Sequence, residues 1–167
     1  MAADQPVPQD PATERGARYW RTHRLLRVLE SVRESDGEAA VEALYWEYGR
    51  RIHHDRTLEF PVEDALLAVG LDEHHGVAYD DDRFDAVIAE RMDKGIALAG
   101  EDIGTPIVGF ANRDGELRAY FGPVITRVPP TQDSVAMFDA LVAMIDVEGF
   151  WELKRTRTEG PSFPDRP

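Results

Sequence analysis

The chain has 167 residues, a formal net charge of −13 and no cysteine. That length is one domain's worth, enough to bury roughly two thirds of the unfolded surface. The acidic balance argues against a phosphate backbone or an anionic membrane surface as partner, since both are bound through excess Lys and Arg. The missing thiol excludes a disulfide framework, a thiolate zinc site and every thiol-based mechanism carried by this chain itself.

Residues 1–12 carry three prolines and no periodic apolar face, so a disordered arm is expected there. The arm lacks the basic start and apolar centre of a signal peptide, and no apolar run approaches the roughly 18 residues of a membrane span, which predicts a cytoplasmic protein. From Thr13 to Glu34 the spacing of Ala17, Leu25, Val28, Leu29 and Val32 predicts a helix. Arg15, Arg18, Arg21, Arg24 and Arg27 recur along one side of it, as a face that compensates acidic neighbours rather than an anion-binding stripe. Ser35 and Glu38, three apart, have the pattern of a capping box and place a second helix start near Asp36. Its apolar face is Ala40, Val41, Leu44, Tyr45, Tyr48 and Ile52, with an end near His53 or His54.

Pro61 suits a first helical position, Glu63 and Asp64 complement the dipole, and Gly70 suits the C-terminal cap of a short third helix. A loop over 71–81 leads to Asp82, which can cap a longer helix through Ala99 with Phe84, Val87, Ile88, Met92 and Ile96 on one side and Gly100 as its stop. Ile107 to Phe110 and Leu117 to Phe121 are the only β-like runs, and Asp114-Gly115 between them supplies the positive φ angles of a hairpin turn. Gly104-Thr105-Pro106 stands directly before the first strand. A proline there removes a ladder donor and fixes φ, which fits an edge, a bulge or a special turn and is compatible with a cis bond. Pro129-Pro130-Thr131 precedes a final helix over 132–146 whose expected buried stripe is Val135, Phe138, Leu141, Val142 and Ile145.

The candidate chemistry is sparse. His53-His54 and His74-His75 lie near Asp55, Asp72, Glu73 and Asp80 to Asp82, but adjacent helical residues point about 100° apart and metal ligands usually share a face, so no metal site is assigned. None of Ser31, Ser35, Ser134 and Ser162 lies in a Gly-x-Ser-x-Gly elbow or next to a histidine in the chain. No phosphate-binding glycine loop or dinucleotide fingerprint is present.

The Thr105-Pro106 turn before the hairpin resembles the Thr-cis-Pro turn of the thioredoxin fold. With Gly49-Arg50-Arg51-Ile52-His53, Glu101-Asp102-Ile103-Gly104-Thr105-Pro106, Phe121-Gly122-Pro123-Val124 and the segment Phe150 to Glu159 (FWELKRTRTE), the chain from about Glu14 to its C-terminus resembles the mycothiol-dependent nitroreductase family. That family is a branch of the DsbA-like thioredoxin-fold oxidoreductases. The resemblance implies an α/β, truncated thioredoxin-like fold: a mostly helical insert over 13–100, a β-hairpin and C-terminal helix over 101–148, and a tail over 149–167. Family members begin with a strand, a Cys-Pro-x-Cys turn, a helix and a second strand, and the resemblance places all of these outside this sequence.

By the same resemblance Gly104, Thr105 and Pro106 are expected either to dock a thiol or an extended peptide or to form a structural turn with no ligand. His53, in the insert that covers the redox site, either lines a pocket or sits favourably at a helix end. No catalytic residue can be named. Mycothiol is implied as co-substrate with no tightly bound cofactor, and a low-molecular-weight thiol, an extended peptide, a second copy of the chain or a complementing N-terminal half as partner. The alternative is a cysteine-free thiol- or peptide-binding protein that keeps the docking turn without catalysis.

Overall fold

In a computed structural model that describes residues 10–163, helix α1 runs over Glu14–Asp36 and starts where Thr13 Oγ1 accepts the Gly16 N–H at 3.0 Å. Residues 1–9 of the expected N-terminal arm and 164–167 of the tail lie outside the described part. Leu25, Val28, Leu29 and Val32 form the buried seam of α1, while Ala17, at the outer end of the stripe, is exposed. The chain divides into two compact units, one ending at Met92 and one spanning Asp93–Phe163.

In the first unit, α1 passes to α2 (Glu38–Gly49) through Gly37, whose φ of 83° is open to glycine without a side-chain clash. The expected capping box does not form. Ser35 is still inside α1, and Glu38 pairs with Arg33 instead, so a backbone break rather than a side-chain cap separates the helices. Helix α2 buries Val41, Leu44 and Tyr48 and continues as one π-helical turn over Arg50–His54. Helix α3 covers Val62–Ala68 behind Pro61.

The stretch after α3 is not the loop that its polar sequence predicts. Glu73–Asp80 is a 3-10 helix, started by Asp72 accepting the His74 N–H at 2.9 Å, and it buries His75, Gly76 and Ala78. Three residues per turn is a period that a search for 3.6 overlooks. A short turn over Asp82–Phe84, capped by Asp81 rather than Asp82, leads into α4 (Asp85–Ala99). Phe84 and Ile88 close one apolar cluster with Leu25, Val28, Leu44, Phe60 and Leu66, whereas Met92 is exposed.

Three of the five arginines in the α1 stripe find acids or aromatic faces. Arg21 donates to the Phe60 and Leu58 carbonyls and lies near Glu59, Arg24 faces Asp80 and the Tyr79 ring, and Arg27 forks onto Asp85. The acid-compensating reading of the stripe therefore holds for its inner half. Arg27 is nonetheless buried rather than solvated.

In the second unit, β1 (Ile107–Ala111) and β2 (Leu117–Phe121) pair antiparallel in a two-stranded sheet, with Val108 opposite Tyr120 and Gly109 opposite Ala119. Gly115, at φ 81°, is the turn residue with positive φ; Asp114 is not. The turn is organised by buried Asn112, whose Oδ1 accepts the N–H groups of Asp114 and Glu116 at 3.0 and 2.8 Å. The Thr105–Pro106 and Gly122–Pro123 peptide bonds are cis.

Helix α5 covers Thr131–Met144. Its expected buried stripe is corrected: Ile145, just past its end, is buried, while Val135, Phe138 and Val142 are exposed. A two-stranded ribbon offers too little surface to cover a helix face. What does pack is local, with the Phe110 and Phe138 rings edge to face at 5.6 Å and the Tyr120 hydroxyl donating to the Met144 carbonyl at 2.7 Å.

Candidate functional site

The turn Gly104-Thr105-Pro106 is exposed and runs straight into β1, with the Phe121 ring beside Gly104. Gly122 N–H donates to the Pro106 carbonyl at 2.8 Å and Asn112 N–H to the Glu116 carbonyl at 2.8 Å. Antiparallel pairing alternates, so Pro106, Val108, Phe110 and Asn112 turn their backbone toward β2. The N–H and C=O groups of Ile107, Gly109 and Ala111 therefore point to the opposite edge, which pairs with no further strand among the described residues. Gly104, Thr105 and Pro106, three of the residues singled out in the sequence, thus run directly into this strand edge. It offers main-chain donors and acceptors and no ionisable side chain.

His53, the fourth predicted residue, belongs to the first unit, where it is exposed on the π-helical turn. Among the described residues no group of three or more His, Cys, Asp or Glu side chains is placed to hold a metal ion. His74 faces Asp72 at 3.0 Å, and its ring is tilted against that of His75 with centroids 4.1 Å apart.

The buried charges of the first unit are compensated. Burial pushes the Glu47 carboxyl up, but the guanidinium groups of Arg50 and Arg51, at 2.9 and 2.8 Å, outweigh it and hold the group below its ordinary range. The two hydrogen bonds from Arg27 lower Asp85, burial opposes them, and His23 at 2.8 Å adds to the lowering. Burial also raises the phenol of Tyr48, whose hydroxyl has no hydrogen-bond partner among the described residues.

One constellation was invisible in the chain order. Ser31 Oγ lies 2.9 Å from His75 Nδ1, and His75 Nε2 lies 2.9 Å from Asp36 Oδ2. Ser31 and Asp36 are on α1 and His75 is on the 3-10 helix that packs against it. The expectation that no serine stands by a histidine is true along the sequence and false in space. Only the acidic and histidine content of 72–82 hinted at polar contacts there.

Site and fold together define a helix-rich α/β chain whose exposed Gly104-Thr105-Pro106 turn opens a two-stranded hairpin, and whose sequence has no cysteine. A family model described as Rv2466c-like, mycothiol-dependent nitroreductase Rv2466c, matches residues 10–155, and the chain belongs to that family.

Proposed function

We propose that this chain is the thiol-docking portion of a mycothiol-dependent, DsbA-like oxidoreductase of thioredoxin-like architecture, with the exchanging sulfur supplied by cysteines that this sequence does not contain. The observation that carries the proposal is the coincidence of the family match with an exposed Gly104–Pro106 turn that opens an unpaired strand edge. Mycothiol, or an extended peptide, has amide groups that the edge positions of Ile107, Gly109 and Ala111 can pair with, as in strand addition. Thiol–disulfide exchange proceeds by thiolate attack on a disulfide sulfur, and none of the 167 side chains furnishes a thiolate. The role left to these residues is to bind and orient. The exposed Val135, Phe138 and Val142 and the open sheet edge support completion by a complementing N-terminal half or by a second copy of the chain.

The second reading, a thiol- or peptide-binding protein without catalysis, rests on the absence of cysteine and shares the same edge. Titration of the isotopically labelled chain with mycothiol is expected to shift the amides of residues 104–111; shifts elsewhere, or none, sink both readings. The chain alone is expected to show no mycothiol-dependent reduction of a nitro compound. Adding a Cys-Pro-x-Cys-bearing N-terminal fragment from a family member should yield turnover under the first reading and none under the second.

A further inference from the structure

We infer that Ser31, His75 and Asp36 form a second, sulfur-independent reactive centre, in which a base-activated serine opens into a pocket suited to small esters that carry no negative charge. The hydrogen-bond order decides the direction of proton flow. With Asp36 ionised and the ring neutral, the ring proton sits on Nε2 and is donated to the Asp36 carboxylate. Nδ1 then carries the lone pair, and the contact at 2.9 Å can only be Ser31 O–H donating to it. A nucleophile paired with a base, and the base oriented by a third group, is the arrangement that activates a serine hydroxyl. The two ring nitrogens are exchanged relative to the serine-protease triad, which leaves the order serine, imidazole, carboxylate intact.

Two further observations separate this cluster from an ordinary satisfied core histidine. A helical Ser or Thr commonly returns its hydroxyl to a carbonyl of the preceding turn. Thr22 does so on the same helix, donating to the Tyr19 carbonyl at 2.9 Å, whereas Ser31 turns to the imidazole. The His75 side chain is only 1% exposed, so packing holds the ring in one orientation, yet Ser31 lines a surface pocket of about 320 Å³. That volume falls at the small end of ligand sites.

The pocket walls choose the substrate class. Val77 and Ala78 give apolar surface, Ser35 and His74 are polar, and Glu34, Asp81 and Arg83 complete the rim. Arg83 is 3.0 Å from Asp81, which neutralises it and leaves the rim net acidic. Uncharged or cationic esters fit, and anionic ones do not. In the reaction Ser31 Oγ bonds to the carbonyl carbon while its proton passes to His75 Nδ1. The carbon–oxygen bond to the alcohol then breaks, and the alcohol leaves with that proton. Water adds to the acyl-serine, again giving a proton to His75, and the carboxylic acid departs with Ser31 restored. The sum is ester plus water to acid plus alcohol.

The test uses the full chain with diisopropyl fluorophosphate and with p-nitrophenyl acetate. A single adduct on Ser31 by peptide mass spectrometry and a burst of nitrophenol equal to the protein concentration are expected. Ser31→Ala should abolish both, and His75→Gln should slow labelling about a hundredfold, within the range for loss of a general base. Because His75 is buried and its variant risks unfolding, Asp36→Asn gives an independent check. It should lower kcat about tenfold at unchanged KM and unchanged circular dichroism, as befits a positioning residue. The anionic p-nitrophenyl hemisuccinate should react at least tenfold more slowly than the acetate. Adducts scattered over exposed serines, no adduct, nitrophenol release unchanged by Ser31→Ala, or equal rates for the two esters would overturn the inference.

Discussion

Asp85→Asn is the substitution that best probes what joins α4 to α1 in the first unit. The Asp85 carboxylate takes Nε and Nη2 of Arg27 at 2.7 Å each and His23 Nε2 at 2.8 Å, and the Arg27 side chain is only 8% exposed. Neutralising the carboxylate leaves an almost buried guanidinium without its counter-charge, an error that costs about 3–5 kcal/mol when the pair is sealed from water. Asp85 itself is 37% exposed, so water can partly replace the lost charge and the expected cost drops to about 2–3 kcal/mol. At roughly 2–4 °C per kcal/mol for a chain of this size, Tm should fall by about 4–12 °C. The pH dependence has a definite sign. Arg27 holds the folded-state carboxyl below its ordinary 3.8, so its contribution is fully present above that value and is lost as pH falls through the folded-state pKa. Urea unfolding at pH 7 should show the full gap between wild type and variant, and the gap should close in acid below about pH 4. As a control, Asp80→Asn breaks the exposed Arg24 pair, 3.3 Å long with both partners in water, and should cost no more than about 1 kcal/mol. A loss at Asp85 as small as at Asp80, or a gap that persists in strong acid, would refute the reasoning.

Leu44→Ala empties a fully buried position and should cost about 2–5 kcal/mol, whereas Phe138→Ala on exposed α5 should cost below about 1 kcal/mol; equal midpoint shifts in denaturant would contradict the burial difference. Tyr48→Phe deletes a buried hydroxyl with no hydrogen-bond partner among the described residues and should be neutral or stabilising by about 1 kcal/mol, which thermal unfolding will show. Asn112→Ala takes away the acceptor of two turn N–H groups and should destabilise the hairpin by about 1–3 kcal/mol, visible as faster amide exchange at Glu116 and Val108 with no change in the first unit.

Much of the architecture was legible because it is local. The β-runs around Asp114-Gly115 appear within one residue of their observed ends, and the helices at 14–36, 38–49, 62–68, 85–99 and 131–144 follow from apolar spacing and from proline and glycine punctuation. The failures share a cause, which is that tertiary packing decided the outcome. Ser35 and Glu38 satisfy the capping-box spacing, yet α1 runs two residues further and Gly37 makes the break. The 73–80 segment has no 3.6 pattern because it is 3-10 and half polar, and its helical state is held by packing on α1. The stripe of α5 is periodic as expected, but periodicity states only that a face is apolar and not that anything covers it.

The two candidate sites divide along the same line. The Gly104–Pro106 turn stands out in the letters because a Gly-Thr-Pro run before a strand constrains its own backbone, although its partners Phe121 and Gly122 come from the far strand of the hairpin. The Ser31–His75–Asp36 contact spans 44 residues from serine to imidazole and depends on how a 3-10 turn lies on a helix, so no spacing rule could have placed it. His75 offered one indirect cue: a histidine in a polar stretch that becomes 2% exposed must satisfy both ring nitrogens internally. Among the described residues its hydrogen-bond partners are one hydroxyl and one carboxylate, and that pairing orders the acceptor toward the hydroxyl. A chain without cysteine therefore still holds, in its first unit, a serine hydroxyl set against an imidazole that a carboxylate orients.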